Sequence, residues 1–340
     1  MYLLKSSNRD VSIDLLKVIA IFLIVNSHCA DFFPVRLKLL ATGGAIGDAL
    51  FFFASGYTLL LGKNSDLSFV NWYKRRINRI YPSIFSWAFI SSCYLAIIGT
   101  GGGKNMYELI FWGGGWFITC IMVYYIPFYY IRKHLLKHVY HLFAIIGLAV
   151  IVWYALIMNE DLNIYATASY FTRFAFFLFM LMGAICGYRD KTNNNIVGSL
   201  SVNKDLLNVI GLIVSLTVFN GIKFLLLKHV VPYYMNIASM VVLFFVIYFI
   251  FRVCRGGWLK NMLEKKNVSN VVYVLAMLCL EVYLCRNLII DLFLQYSFPL
   301  RYLLLFITII LVAFLTKLFA NIFTAIFSEK ELDMKAIFSI

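Results

Sequence analysis

The sequence predicts an all-α integral membrane protein, a bundle of about ten transmembrane helices with both termini cytoplasmic, on three observations. Hydrophobic residues make up 62% and charged residues 14% of the 340, with a mean hydropathy of +0.85, which is more apolar surface than a soluble core of this length could hide. Ten apolar stretches approach the roughly 20 residues needed to cross a hydrocarbon core of about 30 Å. Basic residues gather in alternate intervals between those stretches, as cytoplasmic loops require. The net charge of +14 therefore reads as a topology signal. No nucleic-acid partner is expected, because the basic residues do not line one polar face.

The expected spans, in order, are 12–30, 44–62, 82–99, 113–131, 140–158, 170–188, 206–226, 234–251, 270–290 and 300–327. Pro127 should kink or end the fourth. One set of intervals holds Lys63 and Lys74 to Arg79, then Arg132, Lys133 and Lys137, then Arg189, Lys191 and Lys204, then Arg252 to Lys266. The other set holds Arg36, Lys38 and Lys104, the acidic pair Glu160 and Asp161, Lys228, and Asp291 with Arg301. Lys5 and Arg9 place the N-terminus with the first, cytoplasmic set. No interval is long enough for a soluble domain, so residues 1–340 are expected to form one transmembrane domain with a short polar N-terminus, 1–11, and a cytoplasmic tail, 328–340. The start lacks a cleavable signal of the A-x-A kind, so insertion is expected through the spans themselves. The seven cysteines lie singly, without metal-ligand or disulfide-framework spacing, so no metal is expected.

Ionisable groups inside spans are costly and usually functional. The first span carries Asp14, Lys17 and His28. Lys17 and His28 are eleven residues apart, close to three whole turns, so they share a face about 16 Å apart along the axis. His28 reads as a general base or as a hydrogen-bonded contact between helices. Lys17 alone reads as a side chain snorkelling to the interface. Asp48, one turn into the second span at a similar depth, could orient the imidazole, or it could be an acid favoured by a helix N-terminus. Gly47, Ser55 and Gly56 allow close helix packing.

Arg75, Arg76 and Arg79 lie in the basic stretch that closes at Pro82, spaced so that pairs of them share a helical face. Such a stretch serves topology or anionic lipid, but as a fork it would suit a phosphate-bearing ligand. Arg173, Glu281 and Arg286 complete the inventory, and each needs a partner on another helix or a wet cavity.

These residues resemble the membrane-bound acyltransferase 3 family, over Ser12 to about Asn287. Ile13-Asp14-Leu15-Leu16-Lys17 followed by His28 looks like its signature of a basic residue and a histidine with ten residues between, with Lys17 where arginine is usual. Lysine keeps the charge and loses the planar fork. Gly47-Asp48-Ala49-Leu50-Phe51-Phe52-Phe53-Ala54-Ser55-Gly56-Tyr57 is similar to the second-helix motif, and Arg75-Arg76-Ile77-Asn78-Arg79-Ile80-Tyr81-Pro82 to the basic motif ending in proline. Leu280-Glu281-Val282-Tyr283-Leu284 looks like a late helix motif whose usual histidine or glutamine is replaced near Arg286.

The resemblance implies a ten-helix core and transfer of an acyl group, commonly acetyl, from cytoplasmic acetyl-CoA. The acceptor implied is a hydroxyl of a cell-surface polysaccharide or its lipid-linked precursor, such as O antigen or capsule, with the enzyme in the bacterial inner membrane. On this reading His28 is the base, Asp48 orients it, and Lys17, Arg75, Arg76 and Arg79 hold the coenzyme phosphates. Asp14, Ser55, Arg173 and Glu281 are candidates for substrate contact. Direct transfer and an acyl-histidine intermediate stay open. A transporter or polymerase of cell-envelope glycans is the alternative function, because buried charge also marks translocation paths. Oligomeric state is not readable from the sequence.

Overall fold

The computed structural model describes residues 10–62, 67–99, 115–157, 169–192, 202–232 and 234–326. Its helices are α1 Val11–Ser27, α2 Gly44–Leu61, α3 Phe69–Ile97, α4 Trp116–His134, α5 Val139–Ile157, α6 Tyr170–Ala175, α7 Phe177–Thr192, α8 Val202–Leu227, α9 Met235–Cys254, α10 Gly257–Leu263, α11 Lys266–Met277, α12 Cys279–Leu292 and α13 Leu300–Ile326. No strand occurs among the described residues. The expected cytoplasmic ends fall mostly on residues 1–9, with Lys5 and Arg9, and 327–340. These lie outside the described residues, as do Lys63, Lys104, Glu160 and Asp161.

Each of the ten expected stretches contains helix, but among the described residues not every one meets the length and hydropathy of a span. Among the described residues seven helices are long and apolar enough to cross a membrane, or eight if the bent pair α11–α12 is one span. Two stretches fall short for different reasons. Helix α1 has 17 residues, because it ends at Ser27 and leaves His28 as its C-cap. Helix α4 has 19, but Tyr124, Tyr125, Tyr129 and Tyr130 and the closing Arg132-Lys133-His134 dilute its hydropathy.

Other boundaries also differ from expectation. The basic stretch before Pro82 is helix rather than loop: Ser68 caps α3 by accepting from the Asn71 N–H at 3.5 Å, and the helix runs through Pro82 to Ile97. Pro127 likewise lies inside α4 and does not end it. A membrane helix tolerates proline because neighbouring helices and local adjustment satisfy the carbonyl left without a donor. The sixth expected span stays one span, Tyr170–Thr192, with a single turn residue, Phe176, between α6 and α7, whereas the ninth bends by 64° between α11 and α12.

Helix α2 is the central strut, packed on α1, α4, α7 and α9. Its contact with α7 requires glycine on both sides. A Cβ at Gly56 would stand 1.9 Å from the Met180 carbonyl oxygen, and one at Gly183 would stand 2.0 Å from that of Phe53, so the two backbones touch directly. Gly47 similarly lets α2 approach Ala20 of α1.

At the end of the bundle where α2 finishes, a polar network ties four elements together. The Arg255 guanidinium, after α9, pairs with Asp190 of α7 at 2.5 Å and with Asp10, the N-cap of α1, at 2.8 Å. The Tyr57 hydroxyl of α2 donates to the same Asp190 at 2.8 Å. Such a satisfied network fixes the relative heights of its helices.

Candidate functional site

A cavity of about 320 Å³ opens where α1 ends and α2 begins. Its lining includes Ser27, His28, Thr42, Gly43, Gly44, Asp48, Trp116, Lys223, Tyr283 and Arg286. The chain reaches this shape locally through Asn26. Its side-chain amide donates to the carbonyls of Leu40 at 2.7 Å and Thr42 at 3.0 Å, while its carbonyl accepts from the Tyr302 hydroxyl at 2.8 Å. The segment after His28 is thereby folded back onto α1. It re-enters as α2 through Gly43, whose φ of 107° is a left-handed conformation suited to glycine.

His28 and Asp48, expected to act together, do line one cavity. His28 is exposed on its wall and Asp48 is buried. Arg286, from α12, lines the same cavity, near enough for its charge to act on His28 and on Asp48. The guanidinium is fixed 3.9 Å above the Tyr283 ring and donates to the Tyr283 carbonyl. Lys223, near the C-terminus of α8, donates to the Thr42 hydroxyl at 2.9 Å.

The second cluster lies at the opposite end of α2. Arg132 donates to the Gly62 carbonyl, the C-cap of α2, at 2.6 Å. Arg75, Arg79 and Arg132 all act with like charge on Arg76. Arg76 lies 5.2 Å above the ring of Trp72, which is itself buried against Tyr125 and Tyr129. The buried Nε of Arg76 has no hydrogen-bond partner among the described residues. Gathered like charge with donors to spare is what a polyanion, such as a phosphate chain, relieves.

Between the clusters α2 rises about 21 Å from Asp48 to Gly62, fourteen residues at about 1.5 Å each. That interval is aromatic: Phe52 packs on Phe117 at 4.6 Å and Tyr124 at 4.9 Å, and on Trp116 of the cavity wall at 6.2 Å. Ser55 faces the arginine end, 3.4 Å from the Tyr125 hydroxyl.

The other expected residues lie outside the cavity lining. Asp14 and Lys17 pair at 3.6 Å across one turn of α1. The Lys17 carbonyl accepts weakly from the Cys279 thiol at the α11–α12 bend. Glu281 is fully buried, with Lys317 at 3.2 Å and the Ser83 hydroxyl donating at 2.6 Å, so it joins α3, α12 and α13. Arg173 lies 5.5 Å over Tyr170, and its carbonyl accepts from the Tyr124 hydroxyl.

Sequence reading leaves Lys223, Trp116 and Tyr283 out of the site and gives Arg286 no role. A signal for Lys223 exists, as a lysine in an otherwise apolar span. At a span edge it reads as snorkelling, and only the fold brings it to Thr42.

The polar cavity and the basic cluster lie at opposite ends of one helix in a membrane bundle. The family model for an acyltransferase domain, the acyltransferase 3 family, matches residues 10–320, and the chain belongs to that family. No curated protein matches it, and neither does any solved structure. The protein is thus a multi-pass membrane acyltransferase by family, with both clusters inside the matched span.

Proposed function

We propose that this acyltransferase moves an acetyl group from cytoplasmic acetyl-CoA, across a bacterial inner membrane, to a hydroxyl of a cell-surface polysaccharide or its lipid-linked precursor. The observation that carries this reading is the pairing of two unlike clusters at the two ends of α2, with an aromatic interval between them. Arg75, Arg76 and Arg79, with Arg132, bind the coenzyme phosphates at one end. Lys17, paired with Asp14 on α1, is assigned to the same phosphates. The acyl end of the donor reaches along the aromatic interval towards His28.

In the cavity, neutral His28 takes the proton of the acceptor hydroxyl as its oxygen attacks the thioester carbonyl carbon. A C–O bond forms, the C–S bond breaks, and the coenzyme leaves as thiolate, to be protonated on release. Asp48 orients the imidazole, and Arg286, within electrostatic reach of both, stabilises the oxyanion that develops on the carbonyl oxygen.

The test uses membranes supplied with acetyl-CoA labelled in the acetyl group. Wild-type membranes label a glycan, and His28→Ala membranes do not. Normal labelling by His28→Ala removes His28 as the base. Mass spectrometry of surface glycan from cells with and without the protein separates the competing function: loss of one acetyl group per repeat supports transfer, and altered chain length supports a polymerase.

A further inference from the structure

Among the described residues that line the cavity, two are cations, Arg286 and Lys223, and Asp48 is the one carboxylate. The two cations have different surroundings. Arg286 lies with the reacting groups, its charge acting on both His28 and Asp48. Lys223 comes from α8, which packs on α9 and is otherwise largely bare of protein. Its span has a mean hydropathy of 2.1 with 17% of it buried.

A lysine one turn from the end of such a helix reaches head groups easily by snorkelling. Here the ammonium turns inward instead, to the Thr42 hydroxyl at 2.9 Å and the cavity. Thr42 is in turn anchored, its carbonyl held by Asn26. The lysine is thereby fixed over the same space as His28, on the side provided by α8.

We propose that Lys223 selects the acceptor by receiving an acidic group, a carboxylate or a phosphate, on the sugar unit whose hydroxyl is acylated. The inference rests on the acyltransferase reading above and adds the substrate class to it. An ammonium on a flexible stem meets either acid as a point charge without demanding planar geometry. The attraction is stronger in a partly enclosed site than in water. At about 320 Å³ the cavity is at the small end of ligand pockets, which run from about 300 to 1,000 Å³; a single sugar unit with its acid suits that space better than a long glycan segment.

The experiment labels wild-type membranes with acetyl-CoA carrying radioactive acetyl and passes the released glycan over an anion-exchange column. Label is expected in the retained fraction. Carbodiimide activation and borohydride reduction of carboxyl groups abolishes retention if the acid is a uronate. Mild acid that cleaves glycosyl phosphates abolishes it if the acid is phosphate. Label in unretained, neutral glycan overturns the inference and leaves the acyltransferase reading standing. No label in any glycan overturns that reading, and the inference with it.

Lys223→Met is expected to raise the acceptor KM about 10-fold or more, as loss of a charge-assisted contact does, with the KM for acetyl-CoA unchanged. Lys223→Arg should recover most of the acceptor affinity. Folding is controlled by coenzyme binding, which all variants should retain. An unchanged acceptor KM in a coenzyme-binding Lys223→Met protein makes Lys223 only a structural tie to Thr42 and overturns the proposal.

Discussion

The two ends of α2 are built on different electrostatic principles. At the cavity end unlike groups meet: His28, a buried carboxylate, a guanidinium and an ammonium surround open space, and hydrogen bonds from Asn26 and to Thr42 hold the walls. At the far end, besides the ion-paired Arg255 network, like groups meet: Arg75, Arg76, Arg79 and Arg132 accumulate one sign of charge, with Arg76 over the Trp72 ring. Mixed charge around a histidine suits moving a proton, which needs one group poised between two states. Accumulated positive charge suits holding a polyanion, which needs no change of state at all. Damage to the two ends should therefore separate cleanly in kinetics.

The largest effect is expected from His28→Ala, which should lower the rate of acyl transfer by about 10²- to 10⁴-fold, the usual contribution of a positioned base. Coenzyme binding, measured by isothermal calorimetry in detergent, should be unchanged. Arg79→Ala should do the opposite, weakening coenzyme binding by about 10-fold, roughly one charged hydrogen bond, with acceptor KM unmoved. Both ends failing together in either variant would break the division.

Gly183→Val tests what joins the ends. Its added side chain would drive into the Phe53 carbonyl and separate α2 from α7. Overpacking of this kind costs about 1–3 kcal/mol, and a lowered midpoint of thermal unfolding in detergent, with coenzyme binding and transfer reduced in parallel, is the expected outcome. Tyr302→Phe is the mildest change. It removes one neutral hydrogen bond to Asn26, worth about 1 kcal/mol, and should raise acceptor KM a few-fold while leaving donor KM alone.

Legibility from sequence follows the same division. The arginine end can be read directly, because Arg75, Arg76 and Arg79 are neighbours and helix geometry alone groups them. The reach of their helix is not legible: the apolar run starts at Pro82, whereas the Ser68 cap starts α3 at Phe69, ahead of the arginines. The cavity end is half legible. His28 and Asp48 are found by depth, but Arg286 and Lys223 join them across hundreds of residues, and no local pattern encodes that meeting. The bend between α11 and α12 is equally hidden, as neither glycine nor proline marks Leu278.

The sidedness of donor use tests most directly whether the two ends serve donor and acceptor. Sealed vesicles of both orientations, carrying Asn71→Cys beside the arginine cluster, are sorted by labelling of the introduced thiol with an impermeant maleimide, against a background without the substitution. Acetyl-CoA added outside is predicted to acylate glycan only in vesicles whose introduced thiol is labelled from outside. Acylation supported by acetyl-CoA at the opposite face, where the cavity opens, would contradict the division of labour between the two ends of α2.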